Sequence, residues 1–353
     1  MNNILWIRNK FVIIFIKCYN YFMKIVVLGG GISSERNVAQ VTATSVCRAL
    51  RSLGHKAIYV DIFEGLESWE GTLEDAFEAE DGLIGDVAIV HEAPDIPAVI
   101  AGRKDKSLSR LGKNVLDICR LADCVFLGLH GKDGEDGKIQ ATLDLLGVPY
   151  TGSDYLGSAI AMNKPYAKQV MLCNGIPTPE YTDRAPCVVK EVDGGSSLGT
   201  WICRTDEEMQ AALAEAKNTV IIEAMKVGRE FTVPVLDGKA LSVIEIVSPS
   251  GRFDYVAKYQ SGSEGASEIC PAPITEEEKN LLQSLAVKFH NALGLKVYSR
   301  VDFILDNEGN PWCLEVNTLP GMTPNSLIPK AAALEGLSYP ELCQKIIDLS
   351  LKK

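Results

Sequence analysis

The stretch SRVDFILDNEGNPWCLEVNTLPGMT, Ser299 to Thr323, alternates polar and apolar side chains in two runs separated by a turn-rich connection. The first run is Ser299 to Leu305 and the second is Leu314-Glu315-Val316-Asn317. Side chains in a strand point to opposite faces in turn, so Arg300 shares a face with Asp302, and Glu315 with Asn317. Asp306 to Pro311 can pair the strands as a hairpin. Two carboxylates and an amide then converge beside a guanidinium. All-oxygen ligation suits a hard ion, and so few carboxylates leave room for water and phosphate oxygens, which favours magnesium. The alternative is a hairpin whose solvent face happens to be charged. The apolar opposite face of Val301, Phe303, Leu314 and Val316 weighs against it. Thr318-Leu319 leads into Pro320-Gly321, a turn able to bring backbone N–H groups to the same place.

Outward from this hairpin, strands are expected at Phe231 to Leu236 and Ala240 to Ile246, with a long loop from Lys258 to Pro273. Helices are expected from Glu276 to Leu293 and from Tyr339 to Leu351. Further upstream, strands at Cys187 to Lys190 and Thr200 to Cys203 flank the loop Gly194 to Gly199. That loop lacks the G-K-[ST] ending of a P-loop, but its glycines can expose N–H groups to a phosphate. Lys190 closes the preceding strand, and Lys164 opens a helix expected over Ala161 to Cys173; lysines suit phosphate as mobile point charges. The strand Thr219 to Ile222 ends at Glu223. Free backbone groups from Glu223 to Lys226 could hold adenine, with a carboxylate such as Glu230 on ribose; an ordinary connection with exposed acids is the competing reading.

The chain opens, from Lys24, as a βαβ unit: strand Lys24 to Leu28, helix Ser34 to Leu53, strand Ala57 to Val60. Gly29-Gly30-Gly31 is no dinucleotide fingerprint, because Ser34 stands where G-x-G-x-x-G needs glycine. Residues 62 to 82 are acidic and read as a solvated insertion. Cys124 to Leu129 is a further buried strand, and His130 lies at its end before a glycine-rich loop. Residues 1–22 are apolar, aromatic and basic, but Arg8, Lys10 and Lys17 interrupt them. They are read as an extension ahead of Met23, with no stable membrane insertion.

The chain's 353 residues fit two or three packed units. A formal charge of -11 argues against nucleic acid as a partner. The ten cysteines show no metal-ligand spacing, which points to reduced thiols in a cytoplasmic protein.

These motifs, in this order and spacing, resemble the ATP-grasp family and, within it, the D-alanine–D-alanine ligases. The resemblance runs from Met23 to the C-terminus. It rests on His130-Gly131, Gly134-Glu135-Asp136-Gly137, Pro149 to Ser153, Gly195 to Gly199, Tyr255 with Ala257-Lys258-Tyr259, Arg300-Val301-Asp302 and Glu315 to Thr323. It implies an α/β protein: a Rossmann-like parallel-sheet domain at 23–152, then a two-part, α+β ATP-grasp fold at 153–222 and 223–353.

The resemblance also implies roles. Lys164, Lys190, Ser197 and Glu223-Ala224-Met225-Lys226 would bind ATP, with Glu230 on ribose. Asp302, Glu315 and Asn317 would hold two Mg2+ ions, which Mn2+ can replace. Glu35, linked to Ser196 and Tyr259, would orient the first D-alanine, and His130 would assist in substrate binding. Arg300 and the Gly321 N–H would form an oxyanion hole, Ser326 and Leu327 would receive the second D-alanine, and Lys258 would steady the phosphate. A homodimer is expected. Alternatives are a D-lactate- or D-serine-adding ligase, against which Tyr259 counts, and a nucleotide-binding protein without catalysis. Ala39 stands where the family often has serine.

Overall fold

The computed structural model describes residues 22–85, 94–195, 199–248 and 267–353. Apart from Phe22, the leading segment lies outside the described residues, as do Ser196, Ser197, Lys258 and Tyr259.

Strands β1 (Lys24–Gly29), β2 (Lys56–Asp61) and β3 (Cys124–Leu127) form a parallel sheet in the order β2-β1-β3. Ile25 to Leu28 are fully buried, as a strand covered on both faces requires. Helix α1 (Arg36–Ser52) crosses from β1 to β2 and buries Ala43, Val46 and Leu50 against the sheet. The turn between β1 and α1 is closed from within. Asp61 Oδ1 accepts the Gly31, Phe63 and Glu64 N–H groups at 3.3, 2.9 and 3.1 Å, and its Oδ2 pairs with Arg36 at 2.8 Å. A Cβ on Gly30, at φ +66°, would stand 1.9 Å from that carboxylate, so the turn closes tightly over Asp61 only with glycine there.

The stretch from 62 to 82 corrects the sequence reading. It carries a short helix, α2 (Leu73–Ala76), and Phe63, Leu66, Ala76 and Phe77 are all buried. Its apolar residues are too sparse to show a period, yet they dock on the first core while the acids face water. Helices α3 (Ile96–Gly102), α4 (Val115–Arg120) and α5 (Lys138–Leu146) follow. The single helix expected near Ala161 to Cys173 is two, α6 (Tyr155–Met162) and α7 (Lys164–Cys173). Asn163 leaves helical geometry and caps α7, its side chain accepting the Tyr166 N–H at 3.3 Å.

Strands β4 (Cys187–Glu191), β5 (Thr200–Cys203) and β6 (Val220–Ala224) make a small antiparallel sheet, β5-β4-β6. Helix α8 (Asp206–Glu215), capped by Thr205, covers it over a core of Cys187, Val189, Cys203, Met209 and Ala212.

The largest sheet joins β7 (Gly228–Leu236), β8 (Lys239–Ala240), β9 (Ile244–Val247), β10 (Ser267–Ile269), β11 (Tyr298–Asp306) and β12 (Pro311–Asn317). Its order is β10-β9-β7-β11-β12, with β8 on β7. The strand expected over Ala240 to Ile246 is thus broken into β8 and β9. Helix α9 (Glu276–Ala292) covers one face, where Leu282, Ala286 and Phe289 meet Phe231, Val301 and Phe303. Helices α10 (Leu327–Leu334) and α11 (Tyr339–Ser350) then return to the first core, where Ile328, Leu342 and Ile346 join Val46 and Leu50. The first and last described helices share a core, and Leu319 and Met322 in the turn after β12 pack into it.

Candidate active site

The hairpin register is the one that alternation demands. Arg300 lies opposite Asn317 and Asp302 opposite Glu315. Both pairs stand on one face, while Val301, Phe303 and Val316 are buried on the other. A bulge at Asp302/Phe303 leaves Leu314 unpaired, so Phe303 faces Cys313. Leu314 was expected on the apolar face; Cys313 occupies the core there instead, and Leu314 is half-buried.

Asp302 is fixed from three sides. Arg300 Nε and Nη2 donate to its two oxygens at 3.0 and 2.8 Å, Thr232 Oγ1 donates at 2.5 Å, and Asn317 Nδ2 donates at 3.1 Å. Thr232 comes from β7, and Glu230 lies two residues earlier on the same face of that strand. Among the described residues no three His, Cys, Asp or Glu side chains form a metal cage. Two opposed carboxylates and an amide do fit an ion that brings its remaining ligands with it as water and phosphate oxygens.

One cavity is lined by Glu35, His130, Lys164, Arg300, Glu315 and Asn317 together with Gly321, Ser326 and Leu327. Glu35 ends the loop before α1. A Cβ on Gly131 or Gly195 would stand 2.8 or 2.9 Å from its Oε2, so two glycine backbones crowd this carboxylate. Ser326 precedes α10, and its hydroxyl is tied to Thr323 Oγ1 at 2.8 Å and to the Thr323 N–H at 3.1 Å.

The turn after β12 is pinned by two residues of the first unit. His130 Nδ1 donates to the Leu319 carbonyl at 2.8 Å, which leaves Nε2 to accept from Thr42 Oγ1 at 3.0 Å. Burial lowers the imidazole pKa, in keeping with this neutral form. Glu135 accepts the Thr318 and Leu319 N–H groups, each at 3.0 Å, and the Gly131 N–H at 3.0 Å. Burial, then Glu35, pushes its carboxyl up to about 7 against the pull of those three donors. Glu135 appears in the sequence motif, but its partners are far away in the chain, so no local signal marked it as a fastener.

The lysines gather beside this cavity. Lys164 Nζ donates to the Gly194 carbonyl at 2.7 Å, and burial lowers its pKa although Glu315 draws it the other way. Lys190 Nζ meets Glu223 Oε2 at 2.7 Å, and Lys168 Nζ holds Glu223 Oε1. Burial alone would raise the Glu223 pKa; Lys190 and Lys168 outweigh it and leave the carboxyl below its ordinary range. Lys168 was missed, although it lies one turn from Lys164 on the same helix face. Lys226 Nζ bridges to Glu180 at 2.6 Å and sits 3.6 Å over the Trp312 ring. Part of the expected free backbone of the Glu223 to Lys226 segment is engaged. The Ala224 and Met225 N–H groups are not free, since they donate to the Glu180 and Pro186 carbonyls at 2.8 and 3.2 Å. Lys190, the Glu223 to Lys226 segment and Glu230 stand on β4, β6 and β7 and in the connection after β6, outside the cavity wall.

Two family profiles match in tandem: D-ala D-ala ligase N-terminus over residues 24–153, and D-ala D-ala ligase C-terminus over 177–348. A D-alanine–D-alanine ligase of Pediococcus pentosaceus is 41% identical over 346 residues, covering 92% of this chain and 97% of its own length. The D-alanine–D-alanine ligase from Bacillus anthracis, solved in complex with ATP, superposes with a TM-score of 0.69 at 28% identity, covering 94% and 98% of the two chains. A D-Ala:D-Ser ligase from Enterococcus faecalis does so with a TM-score of 0.70 at 29% identity, covering 93% and 99%. With its parallel first sheet and antiparallel ATP-grasp sheets, the chain belongs to the D-alanine–D-alanine ligase family.

Proposed function

We propose that this chain joins two D-alanines at the expense of ATP, through a D-alanyl phosphate, to supply the dipeptide of peptidoglycan precursors. The observation that carries the reading is the register of β11 and β12, which sets Arg300–Asn317 and Asp302–Glu315 side by side on one face. Glu35, Lys164 and Gly321 meet Arg300, Glu315 and Asn317 in the same cavity.

A carboxylate is a poor acyl donor because its oxygen leaves badly, so the first D-alanine must be phosphorylated. Lys164 and Lys190 hold the ATP phosphates, the Glu223 to Lys226 segment and Glu230 hold the nucleoside, and Glu35 orients the first ammonium. Asp302, Glu315 and Asn317 hold two Mg2+ ions, with Mn2+ able to replace them. When bound, these ions neutralise charge on the transferring phosphoryl group. The second D-alanine attacks the acyl carbon through its deprotonated amine; the C–N bond forms, the acyl C–O bond breaks, and phosphate leaves with the proton that the nitrogen sheds. Arg300, oriented by Asp302, and the Gly321 N–H stabilise the oxyanion. Ser326 and Leu327 receive the second carboxylate. His130 and Glu135 keep the turn carrying Gly321 in place. Ser196, Ser197, Lys258 and Tyr259 keep the roles that the resemblance gives them. A homodimer in the cytoplasm, where ATP is abundant, completes the proposal.

The test supplies Mg2+, ATP and D-alanine, with D-serine and D-lactate offered separately as second substrates. Phosphate release matched by D-alanyl-D-alanine is the expected result. Folded protein that binds ATP but releases no phosphate would leave a nucleotide-binding module. Preference for D-serine would move the chain towards its Enterococcus faecalis neighbour.

A further inference from the structure

We propose that Lys132 and Asp193 are positioning residues that clasp the turn after β4 to the first unit and so fix Lys164. The kinetic consequence rests on the reading of Lys164 as a phosphate ligand; the clasp itself does not.

Lys132 lies in the loop after β3, and Asp193 lies in the turn after β4, so the pair joins two different sheets. Lys132 Nζ stands 2.8 Å from the Asp193 carboxylate, with both side chains 44% exposed. An exposed ion pair on its own shifts an equilibrium by at most about fivefold. The neighbours of Asp193 give this one a task. Immediately before it, the Val192 carbonyl accepts the Lys164 N–H at 3.1 Å; immediately after it, the Gly194 carbonyl accepts Lys164 Nζ at 2.7 Å. Lys164 is therefore held by the two residues flanking Asp193. One residue further on, Gly195 abuts the Glu35 carboxylate across the cavity.

The Asp193 carboxylate also attracts Lys164. It is thus paired with one cation, Lys132 of the first unit, and flanked in the chain by the two residues that hold another. Lys132 holds the carboxylate to the first unit. Without Lys132, as without Asp193, the turn loses that tether to the first unit. Lys132 acts on the cavity only through Asp193, and removing both residues should cost no more than removing one.

The experiment compares the full chain with Lys132→Ala, Asp193→Ala and the double variant. Hydrogen exchange at the Asp193 to Gly195 amides is read without nucleotide, and steady-state kinetics are read in parallel. Exchange should quicken several-fold in each single variant. The KM for ATP should rise about three- to fivefold with less than a twofold change in the KM for D-alanine, and the double variant should match the singles. Unchanged exchange in both singles overturns the clasp whatever the activity. Quickened exchange with an unchanged KM for ATP, or with additive effects, overturns the positioning role. If the wild-type chain does not ligate, the proposed function falls, while exchange still decides the clasp.

Discussion

Two hairpins carry charge to the same part of this molecule and hold it in opposite ways. β11–β12 lies against β7 within the largest sheet, with one face on the α9 core. Its charges interlock through register, and Asp302 takes bonds from Arg300, Thr232 and Asn317. β4–β5 stands on a core of five buried residues. Its cation Lys190 depends on one carboxylate, Glu223, which it shares with Lys168. In the first hairpin the scaffold holds the charges; in the second the charges help to hold the scaffold. Substitutions in the first should therefore cost rate and spare the fold, and substitutions in the second should cost the fold.

The sharpest way to break this contrast is Glu315→Gln. Losing several kcal/mol of charge stabilisation should lower phosphate release about 1,000-fold, with thermal unfolding unchanged within a degree or two. A comparable loss of stability would erase the contrast. Glu223→Ala tests the other side. It leaves Lys168, 2% exposed, without its counter-charge, and urea unfolding should show a loss of about 3 to 5 kcal/mol. Full stability in that variant would mean that the sheet does not lean on its charges.

A third test stays on the large sheet. Burial, with a smaller push from Lys296, depresses the pKa of His290 from 6.5 to about 4, where it meets Ser299 Oγ at 2.8 Å. The unfolded chain binds the proton more readily, so stability is present above pH 6.5 and is lost as pH falls towards 4. That loss is about 2 kcal/mol by pH 5. His290→Gln should lack this increment between pH 7 and 5; an unaltered slope would count against it. The smallest effect is expected at Glu35→Gln: about a tenfold weaker apparent affinity for D-alanine, with the KM for ATP near wild type. An unchanged D-alanine dependence would remove Glu35 from the substrate.

The contrast also explains what the sequence could reveal. Arg300, Asp302, Glu315 and Asn317 were legible because strand alternation alone fixes their faces. The bulge at Leu314 was not, since one extra residue leaves no mark on a short pattern. β1 and α1 were legible because burial on both faces and one-sided burial leave different periods. Glu135 was hidden for another reason: its acceptor role depends on Thr318 and Leu319, 183 and 184 residues away. Lys168 was hidden because a lysine reads as solvated until a buried carboxylate is found for it. The stretch from 62 to 82 misled because its acids outnumber the few aromatic and aliphatic groups that dock it.

The most direct measurement follows oxygen. D-Alanine carrying 18O in its carboxylate is incubated with the chain, Mg2+ and ATP, and the phosphate released is weighed by mass spectrometry. An acyl phosphate formed in this cavity requires one 18O in each phosphate, in step with D-alanyl-D-alanine. Unlabelled phosphate, or phosphate without dipeptide, would contradict it.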